Sequence, residues 1–241
     1  MKVKISIQLL PKPKSRFQSL CTTSPSKMRL PYAPSTPPTP DPETAEIYAR
    51  IAARRRPRPL IPLDLSLLHS PPVADGWNSF LGAIRTQTVV DPGLLELAVS
   101  RVAVLTHAVY EWNAHAPLAL KGGIKPEELQ AVRVLPSTAT ATAVTGELEG
   151  RVEEEALARS PLTARQRAVV RYADEMTLNV KVRDETFAQL QREGFSDREI
   201  VELTTGIACY NCVSRVLVAL DVGENNGREM KSVEELVEGL K

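Results

Sequence analysis

The chain is poor in the residues from which most reactive sites are built. Its 241 residues include three cysteines and three histidines, and aromatic residues make up only 5%. Cys21, Cys209 and Cys212 are too few and too unevenly placed for the disulfide framework of a secreted scaffold, which points to a reducing compartment. No run of about 18 apolar residues suggests a membrane span. Residues 1–40 contain no acid but seven lysines and arginines, so under an overall formal charge of +1 the rest of the chain is net acidic. That balance argues against a nucleic-acid groove. Strand signals are missing as well: there is no convincing period-2 alternation and no Asn-Gly hairpin between apolar alternations. With 43% apolar residues, enough for a globular core, the expected fold is all-α.

Proline, in contrast, is abundant at one end. Eleven of the 19 prolines fall within residues 1–60, where they favour extended, solvated backbone. Residues 1–59 are therefore expected to be a disordered, basic leader with one short amphipathic helix, 43–56, ending in a basic cluster next to a proline break. The first 27 residues have the composition of an organellar transit peptide; the alternative is a non-structural extension ahead of a second start at Met28. The expected location is cytoplasmic, or mitochondrial if residues 1–27 act as such a peptide.

Residues 60–241 form the expected helical domain. Helices are predicted over 72–86, over 91–122 as one or two pieces, from Pro126, and more weakly over the acidic stretch 138–158. Capping boxes Thr163…Gln166 and Ser196…Glu199 open helices running to about Leu178 and Leu220. Asp184 is the expected cap of a helix that stops at Gly194, and 232–240 form a short amphipathic tail. The stretch Asp91–Gly122 is the centre of the sequence. Asp91 and Pro92 supply the first cap and first helical position, and Gly122 the expected left-handed end. Pro117 should kink the chain just past His115.

Four ionisable residues interrupt that apolar stretch: Glu96, His107, Glu111 and His115. On one ideal helix they share a sector of about 100°. His115 lies four residues after Glu111, so the carboxylate is expected to orient the imidazole and the pair to serve as general acid and base. His107 and Glu96 would form a second proton relay. A metal ion held by His107, Glu111 and His115 is not expected, because positions i and i+8 lie about 12 Å apart along a straight helix. Cys209-Tyr210-Asn211-Cys212 sits well inside its helix and reads as two buried, inert thiols rather than a redox pair. Trp112 is expected to pack rather than touch a substrate.

LLELAVSRVAVLTHAVYEWNAHAPLALKGGIKPEELQAV, with Glu96, the Glu111-Trp112-x-x-His115 core, the Ala119–Gly122 turn and Pro-Glu-Glu, resembles the carboxymuconolactone decarboxylase domain and its alkyl hydroperoxidase D relatives. The resemblance covers roughly residues 60–222. It implies an all-helical homo-oligomer (a dimer, trimer or hexamer) with a small pocket between helices. The peroxidase branch carries Cys-x-x-Cys-x-x-x-His assisted by an upstream glutamate. With its histidine on His115, the glutamate falls on Glu96, while Ala108 and Glu111 occupy the two cysteine positions. The expected activity is therefore a decarboxylase or lyase that needs no cofactor and acts on a small lactone, cyclic keto or aromatic carboxylic acid. Its catalytic residues would be His115, Glu111, Glu96 and His107. A hydroperoxide reductase is the alternative, and a catalytically silent member of the fold the next. The expected partner is the small carboxylic acid, with neither nucleic acid nor membrane.

Overall fold

Five of the helices start on a proline at their first position, where the missing N–H removes no intrahelical bond. In the computed structural model, which describes residues 28–137 and 154–241, these are α1 (Pro42–Arg55), α2 (Pro62–Leu67), α3 (Pro71–Thr86), α4 (Pro92–Leu105) and α6 (Pro126–Val134). The remaining helices are α5 (Val109–Lys121), α7 (Ala164–Leu178), α8 (Asp184–Arg192), α9 (Asp197–Leu220) and α10 (Val233–Glu238). Residues 154–159 are also helical, and no strand occurs among the described residues. The all-α expectation holds. Residues 1–27 and 138–153, which carry the transit-peptide reading and most of the weak acidic helix, lie outside the described residues.

The local start signals work as the sequence implies. Asp91 accepts from Leu94 N–H at 2.9 Å, and Thr163 with Gln166 and Ser196 with Glu199 close reciprocal capping boxes. Two end signals differ. Arg183, not Asp184, is the residue before α8, and Asp184 takes its first helical position. Gly122 keeps a negative φ while Gly123, at φ +95°, takes the left-handed place, so the cap falls one residue later than expected. α5 runs through Pro117 to Lys121 without interruption.

α4 is the central rod. Leu97, Val99, Val102 and Ala103 have no exposed surface, because α4 packs against α5, α6, α7 and α9. One core lies between α3, α4, α7 and α9 around Val99, Val169, Leu203 and Ile207. A second joins α4 to α5, α6 and α10 through Leu97, Trp112, Leu129 and Leu236. Trp112 is buried there, its Nε1–H donating to Lys231 O at 2.9 Å, so it packs as expected. α9 has the length and hydropathy of a membrane span by composition alone, and its Leu203, Ile207 and Val213 lie in the first core.

The leader reading fails for residues 28–59. Ile47, Tyr48 and Ile51 of α1 are buried with Leu68 and Ala74 in a third apolar cluster. Met28 is buried in the main core, Arg29 N–H donates to Leu220 O at 3.0 Å, and Ala33 N–H to Leu65 O at 3.1 Å. The prolines stiffen an ordered strap here rather than preventing structure. They set φ in extended segments whose apolar residues have a surface to bury against.

Candidate active site

A turn decides between the one and two pieces expected of the central stretch, and with it the geometry of the site. Asp91–Gly122 forms two helices, with Thr106 ending α4 and His107 adopting φ +54°. Ala108 N–H returns to Ala103 O at 2.9 Å and His107 N–H to Val104 O at 3.3 Å, the paired bonds of a Schellman motif. His107 thus occupies a position usually taken by glycine, and its side chain is exposed. It neither joins the site nor forms a relay with Glu96. The sequence missed the break because no glycine or proline marks it, although histidine is among the residues that enter the left-handed region more readily.

Folding α5 back along α4 changes the partner of His115. Nδ1 of His115 lies 2.7 Å from Oε2 of Glu96, across the hairpin rather than along one helix. A carboxylate only accepts, so Nδ1 carries the hydrogen and Nε2 is left for a ligand. The Tyr210 ring of α9 meets the imidazole edge-on, with centroids 4.8 Å apart. Glu111 is buried and does not orient His115; its Oε2 accepts from Ser214 Oγ at 2.9 Å, and its Oε1 has no partner among the described residues. Burial holds the Glu111 carboxyl well above the usual carboxylate range, the nearby Glu96 adds to this, and the Ser214 bond opposes it. Burial thus favours the protonated form of Glu111, and with Ser214 on Oε2 the oxygen left for that proton is Oε1.

His115, Glu111 and Tyr210 line a cavity of about 250 Å³, while Glu96 and Ser214 reach it only through their hydrogen bonds to His115 and Glu111. Trp77, Leu81 and Arg85 of α3, Arg54 and Arg55 of α1, and Arg58 and Ile61 also line it. Burial also drives the Tyr210 phenol strongly upward, so it remains a neutral donor, and its OH has no partner in the described protein. The expected trio Glu96, Glu111 and His115 is therefore brought together, while His107 is not. Sequence reasoning missed Arg54, Arg85, Tyr210 and Ser214. The basic cluster after α1 was the one available signal, and it reads equally well as a helix end favoured by its dipole.

Residues 71–146 match the model of the carboxymuconolactone decarboxylase family. Solved structures share the fold over most of the chain. The alkylhydroperoxidase AhpD core protein of Ralstonia eutropha JMP134, an uncharacterized peroxidase-related protein, superposes with TM-score 0.60 at 17% identity, covering 87% of this chain and 94% of that one. An uncharacterized peroxidase-related protein from Silicibacter sp. TM1040 gives TM-score 0.57 at 17% identity over 84% of this chain and 97% of its own. Part of the chain is thus similar to the carboxymuconolactone decarboxylase family, and the fold is that of these two structures. No curated protein matches the sequence.

Both described cysteines, Cys209 and Cys212, lie on α9 rather than on α5 beside His115. Cys209 is buried, and burial, with Cys212 and Glu111 adding to it, pushes its thiol up to about 12. Cys212 is exposed, which corrects the expectation of two buried thiols; it lines a separate apolar groove with Met176 and Val216. A thiolate nucleophile needs a depressed pKa, and Cys209 has the reverse.

Proposed function

We propose that the protein is a cofactor-independent lyase that removes CO₂ from a small organic acid bearing a carbonyl able to accept the released electrons. The observation that carries this reading is one small cavity lined by an imidazole that Glu96 orients and by the buried Glu111 carboxyl, whose Oε1 has no partner among the described residues. As the C–CO₂ bond breaks, its electron pair moves into the carbonyl and leaves an enolate-like oxygen. Glu111 Oε1–H, or the Tyr210 hydroxyl, stabilises that developing charge by donating to it. His115 then delivers a proton from Nε2 to the carbon that lost CO₂, and Glu96 balances the ring's charge while Nε2 carries that proton. One proton is consumed and one CO₂ released, and solvent restores the proton on the ring.

The test is CO₂ release from a panel of carboxylated lactones, cyclic β-keto acids and aromatic acids. His115→Gln should lower turnover by about 10²–10⁴-fold with the fold retained, as removal of a general acid–base group does. Glu96→Gln should lower turnover, because the ring loses the carboxylate acceptor that holds Nδ1 and orients Nε2. Cys209→Ser with Cys212→Ser should leave turnover intact. The peroxidase-related fold neighbours favour hydroperoxide reduction as the second reading. Thiol-dependent peroxide turnover that disappears in the double cysteine variant would put that reading in place of the lyase.

A further inference from the structure

Charge in the cavity does not balance. Arg54, Arg55 and Arg85 all line it, with Arg58 at its edge. Asp64 is fully engaged: Arg55 Nη2 and Nε donate to its two oxygens at 2.7 and 2.8 Å, and Ile61 N–H donates at 3.0 Å. Glu96 is held by His115, and burial favours the protonated form of Glu111, whose Oε2 is taken by Ser214. Arg54 is left without a hydrogen bond or ion pair among the described residues, and its Nε is shielded from water. Burial, reinforced by Arg55 and Arg85 and opposed by Asp64, lowers the Arg54 pKa.

We infer that Arg54 is the anion-anchoring residue of the cavity, its guanidinium receiving the carboxylate of a small organic acid, with the exposed Arg85 drawing the anion inward. Guanidinium matches a carboxylate through two parallel N–H···O bonds, which fixes orientation as well as charge. Trp77, Leu81 and Val213 supply apolar wall for the body of the ligand, and about 250 Å³ suits a single ring. Arg54 lies outside the residues that match the family model, so this specificity comes from the N-terminal strap. The inference rests on the cavity being the substrate pocket but not on the reaction assigned to it. Its role is binding: charge leaves a carboxyl group as CO₂ departs, and a cation held against that group favours the ground state.

The experiment is calorimetric titration of the full chain with benzoate and with benzamide, its uncharged counterpart of similar shape. Wild-type protein should bind benzoate at one saturable site and benzamide about tenfold or more weakly, as expected for loss of a charge-assisted pair. Arg54→Gln should weaken benzoate by about tenfold or more with benzamide unchanged, and Arg54→Lys should keep part of the preference. His115→Gln should still bind benzoate, so a failure of the lyase chemistry shows separately as binding without CO₂ release. If Arg54→Gln does not fold, the benzoate–benzamide difference in wild type and Arg54→Lys decides. No saturable benzoate binding, equal affinity for benzamide, or unchanged benzoate affinity in folded Arg54→Gln would each overturn the inference.

Discussion

Glu96 and Glu111 both stand near His115 on facing helices, yet they occupy opposite protonation roles. Glu96 accepts from the imidazole, whereas Glu111 is a buried acid whose proton the fold retains. That retention has a thermodynamic sign. Between the ordinary value of 4.5 and its raised value, the folded chain binds a proton that the unfolded chain has released. The stabilisation is complete below the ordinary value and is lost as pH rises through the raised one, with a slope of at most about 1.4 kcal/mol per pH unit. Glu111→Gln removes the titrating group but keeps its size. Denaturation midpoints measured at several pH values should show wild type losing stability relative to Glu111→Gln as pH rises. Parallel profiles would mean that Glu111 is ionised in the folded protein. The sequence pairs Glu111 with His115, whereas Glu111 meets Ser214 and His115 meets Glu96, since a four-residue spacing reports neighbours along one helix and is silent about a facing helix.

At the scale of elements, legibility follows locality. Caps at Asp91, Thr163 and Ser196 were readable because donor and acceptor lie three residues apart. The α4–α5 turn was not, because His107 does the work of a glycine and only the returning bonds to Ala103 and Val104 reveal it. Gly93 and Gly122 show a long-range constraint of the same hairpin: a Cβ on Gly93 would sit 2.4 Å from Gly122 O. The N-terminal strap was misread for a related reason. Outside α1 its apolar residues have no period of their own, and the strap's burial depends on a surface made by α2, α3 and the end of α9. A chain beginning at Thr44 should therefore melt below the full chain. It loses the buried Met28 and the Tyr32 hydroxyl, which accepts from Gly223 N–H at 2.9 Å. The loss should be at least about 2 kcal/mol. Equal melting temperatures would show that residues 28–43 contribute no net stability to the fold.

Across the whole molecule, one side chain joins the parts that the cavity does not. Arg101 of α4 is buried, and every one of its N–H donors has an acceptor. Nε and Nη2 meet Asp174 of α7 at 2.6 and 2.9 Å. Nη1 reaches Val132 O and Leu135 O at 2.8 and 2.9 Å, and Nη2 also reaches Pro136 O at 3.2 Å. The last three acceptors lie at or just beyond the C-terminal end of α6, where a cation also meets the negative end of the helix dipole. The pair thus clamps α4, α6 and α7 across the two larger cores. Breaking it leaves the Asp174 carboxylate buried without its cation, a change that costs about 3–5 kcal/mol. Arg101→Met keeps the apolar stem and removes the charge, so it should lower the melting temperature by about 6–20 °C for a chain of this size. Arg101→Lys should fall between, since three donors on a point charge cannot serve five acceptor contacts. Neither residue of the pair lines the cavity. Turnover per folded molecule should therefore stay within about twofold of wild type below the melting transition, when activity is normalised to the folded fraction measured by circular dichroism. A large fall in turnover with an unchanged melting curve would show instead that Arg101 acts on the site.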